Sequence, residues 1–180
     1  MSKARDVEYG VAVALALAED TERSEELSSD LEKRLPEDTS VRFSDLPTLH
    51  AMAALNRKQP LKAIDLLQAA VPYELSAPES SFFGFFGALY PPYVRGEAFL
   101  AAHQGQEAAA EFQKILDHRG MVVSDSIGAL ARLQIGRAYA LQGDTGKART
   151  AYQDFLTLWK DADADIPVLR QAKAEYARLQ

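Results

Sequence analysis

Three histidines, His50, His103 and His118, are the chain's only imidazoles, and there is no cysteine. Neither a thiolate metal site nor a disulfide framework is open to such a sequence. The histidines share no metal-ligand spacing, and no His-Glu-x-x-His run places two of them on one helix face. None sits in a recognisable arrangement with a carboxylate for general acid–base work. His118, inside Asp117–Gly120, reads as a residue near a helix C-terminus, where a partly positive ring suits the helix dipole. Nucleophile-elbow, Walker and Rossmann patterns do not occur, and the glycines of FFGFFG lack a phosphate-binding context. Asp161, Asp163 and Asp165 could attract a cation. Lacking the glycine and distal glutamate of a calcium loop, they read as a solvated turn that caps the last helix. The expectation is no catalytic, cofactor or metal site, and no enzyme.

Charge narrows the partners. Residues 1–40 hold eleven acidic and five basic residues, which is the whole net charge of −6; residues 41–180 carry fifteen of each. With no basic patch, a nucleic-acid backbone is not an expected partner, and the acidic N-terminal part reads as a solvated helix face. No apolar run approaches the roughly 18 residues of a membrane span. The opening MSKARDVEYG places charges where a secretory signal needs an apolar region. A cytoplasmic monomer or weak homodimer is expected. The 180 residues, 47% of them apolar, suit one domain spanning 1–180 with a continuous core.

Positioning falls to helices. Ala131–Leu158 reads as two helices joined by a tight turn, with Gly136, Tyr139, Ala148, Tyr152 and Phe155 at offsets 0, +3, +12, +16 and +19. The same offsets recur at Gly96, Phe99, Ala108, Phe112 and Ile115. They recur more weakly at Ala51, Ala54, Ala63, Leu67 and Ala70, and again at Ala12, Leu15, Ser24, Ser28 and Leu31. Successive starts lie 39, 45 and 40 residues apart, so the chain reads as helical hairpins near 4–36, 45–72, 92–118 and 125–160. Gly96 and Gly136, with Ala108 and Ala148, are expected where the two helices of a hairpin cross closely. Pro60 suits a first helical turn. Gln104-Gly105 and Gln142-Gly143-Asp144 supply turns, and Asp144 or Thr145 a cap. Sustained period-2 alternation is missing, so the class is all-α.

Two connections are long. Residues 37–46 read as a polar link in which Ser44 or Asp45 caps the next helix. The insertion at 73–91 is interrupted by prolines, yet carries Phe82, Phe83, Phe85, Phe86 and Tyr90, too apolar for a free loop. These phenylalanines either pack into the gap of the 45-residue spacing, occupy the groove, or mediate self-association or partner binding. Residues 165–180 read as a capping helix with Val168, Leu169, Ala172, Tyr176 and Leu179 on one face.

The small–aromatic–small–aromatic order resembles the tetratricopeptide repeat (TPR) family. Gly136, Tyr139, Ala148 and Tyr152 fall on its motif positions, as do Gly96, Phe99, Ala108 and Phe112; its early Trp and its standard period are missing. The resemblance implies a right-handed α-solenoid of about four hairpins plus the capping helix, acting as a protein–protein interaction scaffold. Its concave groove, lined by first helices, would take a peptide or helix of a partner through Tyr9, Val13, Thr48, Met52, Tyr93, Glu97, Leu133 and Arg137. Family members that hold a C-terminal carboxylate use several Lys, Asn and Arg side chains, of which only Arg137 has a counterpart here. Leu89–Gln180, with LYPPYVRGEAFLAA, DHRG and LWKDADADIPVLRQAKAEYARL, is also similar to the C-terminal repeats of bacterial signalling proteins that carry a serine/threonine kinase or winged-helix domain. That likeness implies a cis-regulatory or sensor module as the alternative.

Overall fold

The structure is a computed structural model and describes residues 4–75, 89–122 and 125–179. The expectations placed on Phe82, Phe83, Phe85 and Phe86 lie outside the described residues. Within these, every regular element is helical: α1 (Arg5–Leu17), α2 (Thr21–Arg34), α3 (Leu46–Asn56), α4 (Pro60–Leu66), α5 (Tyr90–Ala101), α6 (Gly105–Asp117), the single turn α7 (Arg119–Val122), α8 (Ile127–Leu141), α9 (Thr145–Leu158) and α10 (Pro167–Ala177). A π-turn at Val41–Asp45 runs directly into α3, and a 3-10 segment, Leu67–Tyr73, extends α4. The architecture is an all-α solenoid of paired helices, α1–α2, α3–α4, α5–α6 and α8–α9, with α10 laid on α9.

One register runs through all four pairs. The template positions at offsets 0, +12, +16 and +19 are buried in every unit, whatever residue occupies them, and those at +3 are buried or half-buried. The turn is repeated as strictly. At offset +7 the backbone takes a left-handed conformation: Glu19 (φ 62°), Lys58 (59°), His103 (59°) and Gly143 (77°). Each turn closes by the same two bonds, seen in the first as Glu19 N–H to Ala16 O and Asp20 N–H to Leu15 O, and in the last as Gly143 N–H to Ala140 O and Asp144 N–H to Tyr139 O. These satisfy carbonyls that the end of each first helix would otherwise leave without donors.

Small residues set the hairpin spacing. A Cβ added at Gly96 would fall 2.6 Å from the fully buried Phe112 ring, and one at Gly136 would meet Tyr152 at 3.2 Å. Gly105 serves packing more than the turn expected of it. The left-handed residue is His103, and a Cβ at Gly105 would approach the Ala138 carbonyl of α8 at 2.9 Å.

Several expected caps take another form. Asp144 does cap α9, accepting from Lys147 N–H at 3.1 Å. Neither Ser44 nor Asp45 caps α3 through its side chain, because the π-turn delivers helical backbone straight into it; the Ser44 carbonyl accepts from Thr48 Oγ1 at 2.7 Å instead. The Asp161–Asp165 turn does not cap α10 either, whose N-cap is Ile166 and whose first turn opens on Pro167. Isoleucine carries no side-chain acceptor, so the position itself cannot cap.

First helices pack on one another in succession, α1 on α3, α3 on α5 and α5 on α8, whereas α2, α4 and α6 each pack on the next first helix and, among the described residues, make no comparable contact with other second helices. One apolar cluster runs from Tyr9 through Ile135, and a second gathers Leu133, Tyr152 and Phe155 beneath Leu169 and Ala172 of α10. Charge is also buried. Arg95, at the centre of α5, pairs with Glu74 and, at 2.6 Å, with Glu111, and Lys114 reaches Glu111 at 2.8 Å. That cluster ties the end of the second unit to both helices of the third.

Candidate functional site

The residues expected to line the first-helix face form two rows. Tyr9, Thr48, Tyr93 and Leu133 stand at offset −3 and retain only 2%, 0%, 5% and 0% of their exposure, the first three where successive first helices touch and Leu133 beneath α10. Val13 and Met52, at offset +1 in the first two units, are buried as well. These six belong to the packing between helices, and of them only Tyr9 and Val13 also line a small apolar slot. The reason is that the offset −3 row points into the seam between helices that lie in direct contact, a seam wider in the expected groove. Glu97 and Arg137, the offset +1 residues of the last two units, remain half-buried.

Those two are joined by groups that sequence reading did not select. Gln134, one turn before Arg137 on α8, donates from Nε2 to Glu97 Oε1 at 2.9 Å and to Tyr93 Oη at 3.3 Å. Its Oε1 accepts from Arg137 Nη1 at 3.2 Å. Arg137 then makes a two-pronged pair with Glu175 of α10, both bonds at 2.9 Å, and Tyr152 donates its hydroxyl to the same carboxylate at 2.7 Å. The chain of bonds crosses α5, α8, α9 and α10. Glu175 was hidden in the sequence because it flanks the apolar face of α10, where an acidic residue reads as ordinary surface; Gln134 sits between Leu133 and Ile135 and carries no charge to mark it.

The cluster is electrostatically uneven. Burial pushes the Glu97 carboxyl up to about 7, against the opposing pull of the Tyr93 and Gln134 hydrogen bonds and the Arg137 charge. At Glu175 burial acts the same way, but the Arg137 and Tyr152 bonds overcome it and hold the group below the usual carboxylate range. Tyr93 is raised by burial and by the neighbouring Glu97. At the other end of the face, burial raises Asp45 to about 7, with Arg5 opposing and Asp38 and Asp6 reinforcing the shift. The arrangement offers a hydrogen-bonding platform of fixed geometry.

An apolar slot of about 160 Å³ is formed by Tyr9, Gly10, Val13, Ala14 and Leu17 of α1 with Tyr90 of α5. Leu17, 56% exposed, stands at its rim. Gly10, Ala14 and Leu17 follow helical spacing, and no atom of the described residues lies within 4 Å of a Cβ built on Gly10, so among them the slot is open above it.

The histidines do not converge. His50 and His103 are exposed on separate units, and His118 closes α6 with Nδ1 at 2.7 Å from the Lys114 carbonyl. Among the described residues no group of three or more His, Asp or Glu side chains is placed to hold a metal ion, and no helix is long and apolar enough to cross a membrane.

No protein-family model matches the chain, and no curated protein matches it. Among solved structures it is similar to the crystal structure of a Podosopora anserina protein assigned as a kinesin light chain with nearly identical TPR-like repeats. The TM-score is 0.64 and the identity 15%, over 99% of this chain and 87% of that one. That likeness, joined to the four-fold recurrence of burial and turn geometry, establishes the fold as a TPR-like helical repeat.

Proposed function

We propose that the chain, 1–180 acting as one interaction domain, is a protein–protein scaffold. On this reading the first-helix face takes an extended peptide or helix of a partner, with an apolar side chain of the partner in the Gly10–Ala14–Leu17–Tyr90 slot and polar groups against Glu97, Gln134 and Arg137. The observation that carries the reading is the pairing of an open apolar slot with a fixed, half-buried hydrogen-bonding cluster on the same row of helices. Binding through a preformed face needs no bond chemistry and no cofactor. A cytoplasmic setting and a monomeric or weakly dimeric state belong to the same proposal.

The partner-contact set is thereby redrawn. Glu97 and Arg137 stay in it, Tyr9 and Val13 remain as the buried floor of the slot, and Thr48, Met52, Tyr93 and Leu133 act by fixing the helices. Displayed random peptides selected on the wild-type protein provide the test. Ala14→Glu and Leu17→Glu change exposed positions and should weaken the selected peptides at least tenfold while leaving the helical circular dichroism and melting temperature unchanged. Unaltered binding by both variants would remove the slot from the proposal. A cis-regulatory module of a larger signalling protein rests on the sequence likeness of Leu89–Gln180 alone; a kinase or winged-helix domain encoded in the same reading frame would favour it.

A further inference from the structure

A second cavity, sharing no residue with the slot or the polar cluster, opens where the end of α6, the turn α7, the start of α8 and the end of α9 meet. Its volume is about 460 Å³, and Ile115, Leu116, Val122, Ala129, Leu158 and Trp159 supply apolar wall. Arg119 and Arg132 enter the same cavity. Neither guanidinium has an ion pair or hydrogen bond among the described residues, whereas most of the chain's other arginines are engaged by carboxylates. Asp125, the one carboxylate in the lining, accepts from Ile127 N–H at 3.0 Å and so serves as a cap at the start of α8. The cavity is left with one positive charge in excess.

Its walls are held firmly. A Cβ on Gly128 would collide with Val122, so α7 lies directly on the first turn of α8. Trp159 rests against the buried Phe155 ring at a centroid distance of 5.0 Å. Leu158, 59% exposed, leaves apolar surface at the mouth. Pockets that bury small molecules run from about 300 to 1,000 Å³ and combine mostly apolar walls with a few orienting polar groups. Two unpaired guanidinium groups above such walls suit a ligand with a carboxylate at one end and hydrocarbon at the other, since Arg forks bind carboxylates in a two-pronged manner.

We propose that this cavity binds a small amphiphilic organic anion, of the class of a medium-chain carboxylate, with the hydrocarbon against Trp159 and Leu116 and the carboxylate between Arg119 and Arg132. Trp159 is the chain's single tryptophan and therefore a local reporter. Decanoate, titrated into the intact protein below its micellar range, should shift Trp159 emission saturably with one site per chain, and calorimetry should give the same affinity. Decan-1-ol, which keeps the chain and loses the charge, should bind at least tenfold more weakly. The double variant Arg119→Gln, Arg132→Gln should bring decanoate to the level of the alcohol with an unchanged circular dichroism spectrum, and Leu158→Glu at the mouth should weaken decanoate alone. Equal binding of acid and alcohol, an unaffected double variant, or no saturable signal would each overturn the assignment. None of these outcomes bears on the first-helix face.

Discussion

The first and fourth hairpins hold the same backbone register with opposite chemistry. In the fourth, Gly136 makes room for the Tyr152 ring and Phe155 fills the space below, so the helices are spaced by volume. In the first, the equivalent positions are Ala12, Ser28 and Leu31, and the crossing is bridged by a hydrogen bond from Ser24 Oγ to the Ala12 carbonyl at 2.9 Å. Ion pairs then tie that hairpin together: Arg34 with Glu8 and, at 2.7 Å, with Asp30, and Arg5 with Asp38 at 3.2 Å. A repeat is thus conserved in position more strictly than in residue type. The second unit loses the aromatic too but keeps its crossing apolar with Ala63 and Leu67, whereas in the first the cohesion comes from polar contacts, which are sensitive to salt and pH.

Substitutions can break that contrast. The largest effect is expected from Tyr152→Ala, which empties the aromatic position of the fourth unit and should cost about 3–5 kcal/mol in denaturant unfolding. Gly96→Ala forces its methyl into the Phe112 ring, which cannot swing away because it is fully buried, and should cost about 1–3 kcal/mol. Gly136→Ala, with 3.2 Å of clearance, should come out near neutral, since the helix propensity of alanine returns about 1 kcal/mol. Equal costs at the two glycines would mean that the rings relax freely.

pH should move the whole molecule by several degrees. Glu97 and Asp45 both titrate near 7 in the fold, so between about pH 4.5 and 7 the folded chain holds protons that the unfolded chain has released. Their contribution to stability is complete below that window and is lost as pH rises through it. The melting temperature, followed by circular dichroism from pH 5 to 8, should fall over this range, and Glu97→Gln with Asp45→Asn should flatten the profile.

Smaller effects separate the two serines of the first hairpin. Ser24→Ala removes its bond and should cost about 1 kcal/mol, whereas Ser28→Ala should stabilise by a similar amount, because the Ser28 hydroxyl is buried without a hydrogen-bond partner among the described residues. The smallest change tests the turns. His103→Gly and Lys58→Gly relieve left-handed backbone and should raise stability by about 0.5–1 kcal/mol, while Gly143→Ala should lower it by a similar amount.

Sequence periodicity exposed the repeat because the offsets +12, +16 and +19 fall on one stripe of a 3.6-residue helix, and a buried stripe must be apolar or small. The turns were only partly legible. Gly143 announces a left-handed residue, but Glu19, Lys58 and His103 occupy the identical conformation with nothing in their type to mark it. Arg95 reads as a surface cation until Glu74 and Glu111 arrive from distant segments. Six of the eight expected groove residues are buried for a related reason: whether such a position faces solvent or a neighbouring helix depends on how closely successive helices approach, which local pattern does not encode.

The sequence by itself determined the helices, their pairing into four hairpins and the glycines at which they cross, because these follow from short-range periodicity and side-chain volume. Only the tertiary structure decided which polar residues meet. Gln134 with Glu97 and Arg137 with Glu175 are brought together, and Arg119 and Arg132 are set around one cavity, by the packing of helices from different units, and long-range packing leaves no trace in the local order of residues.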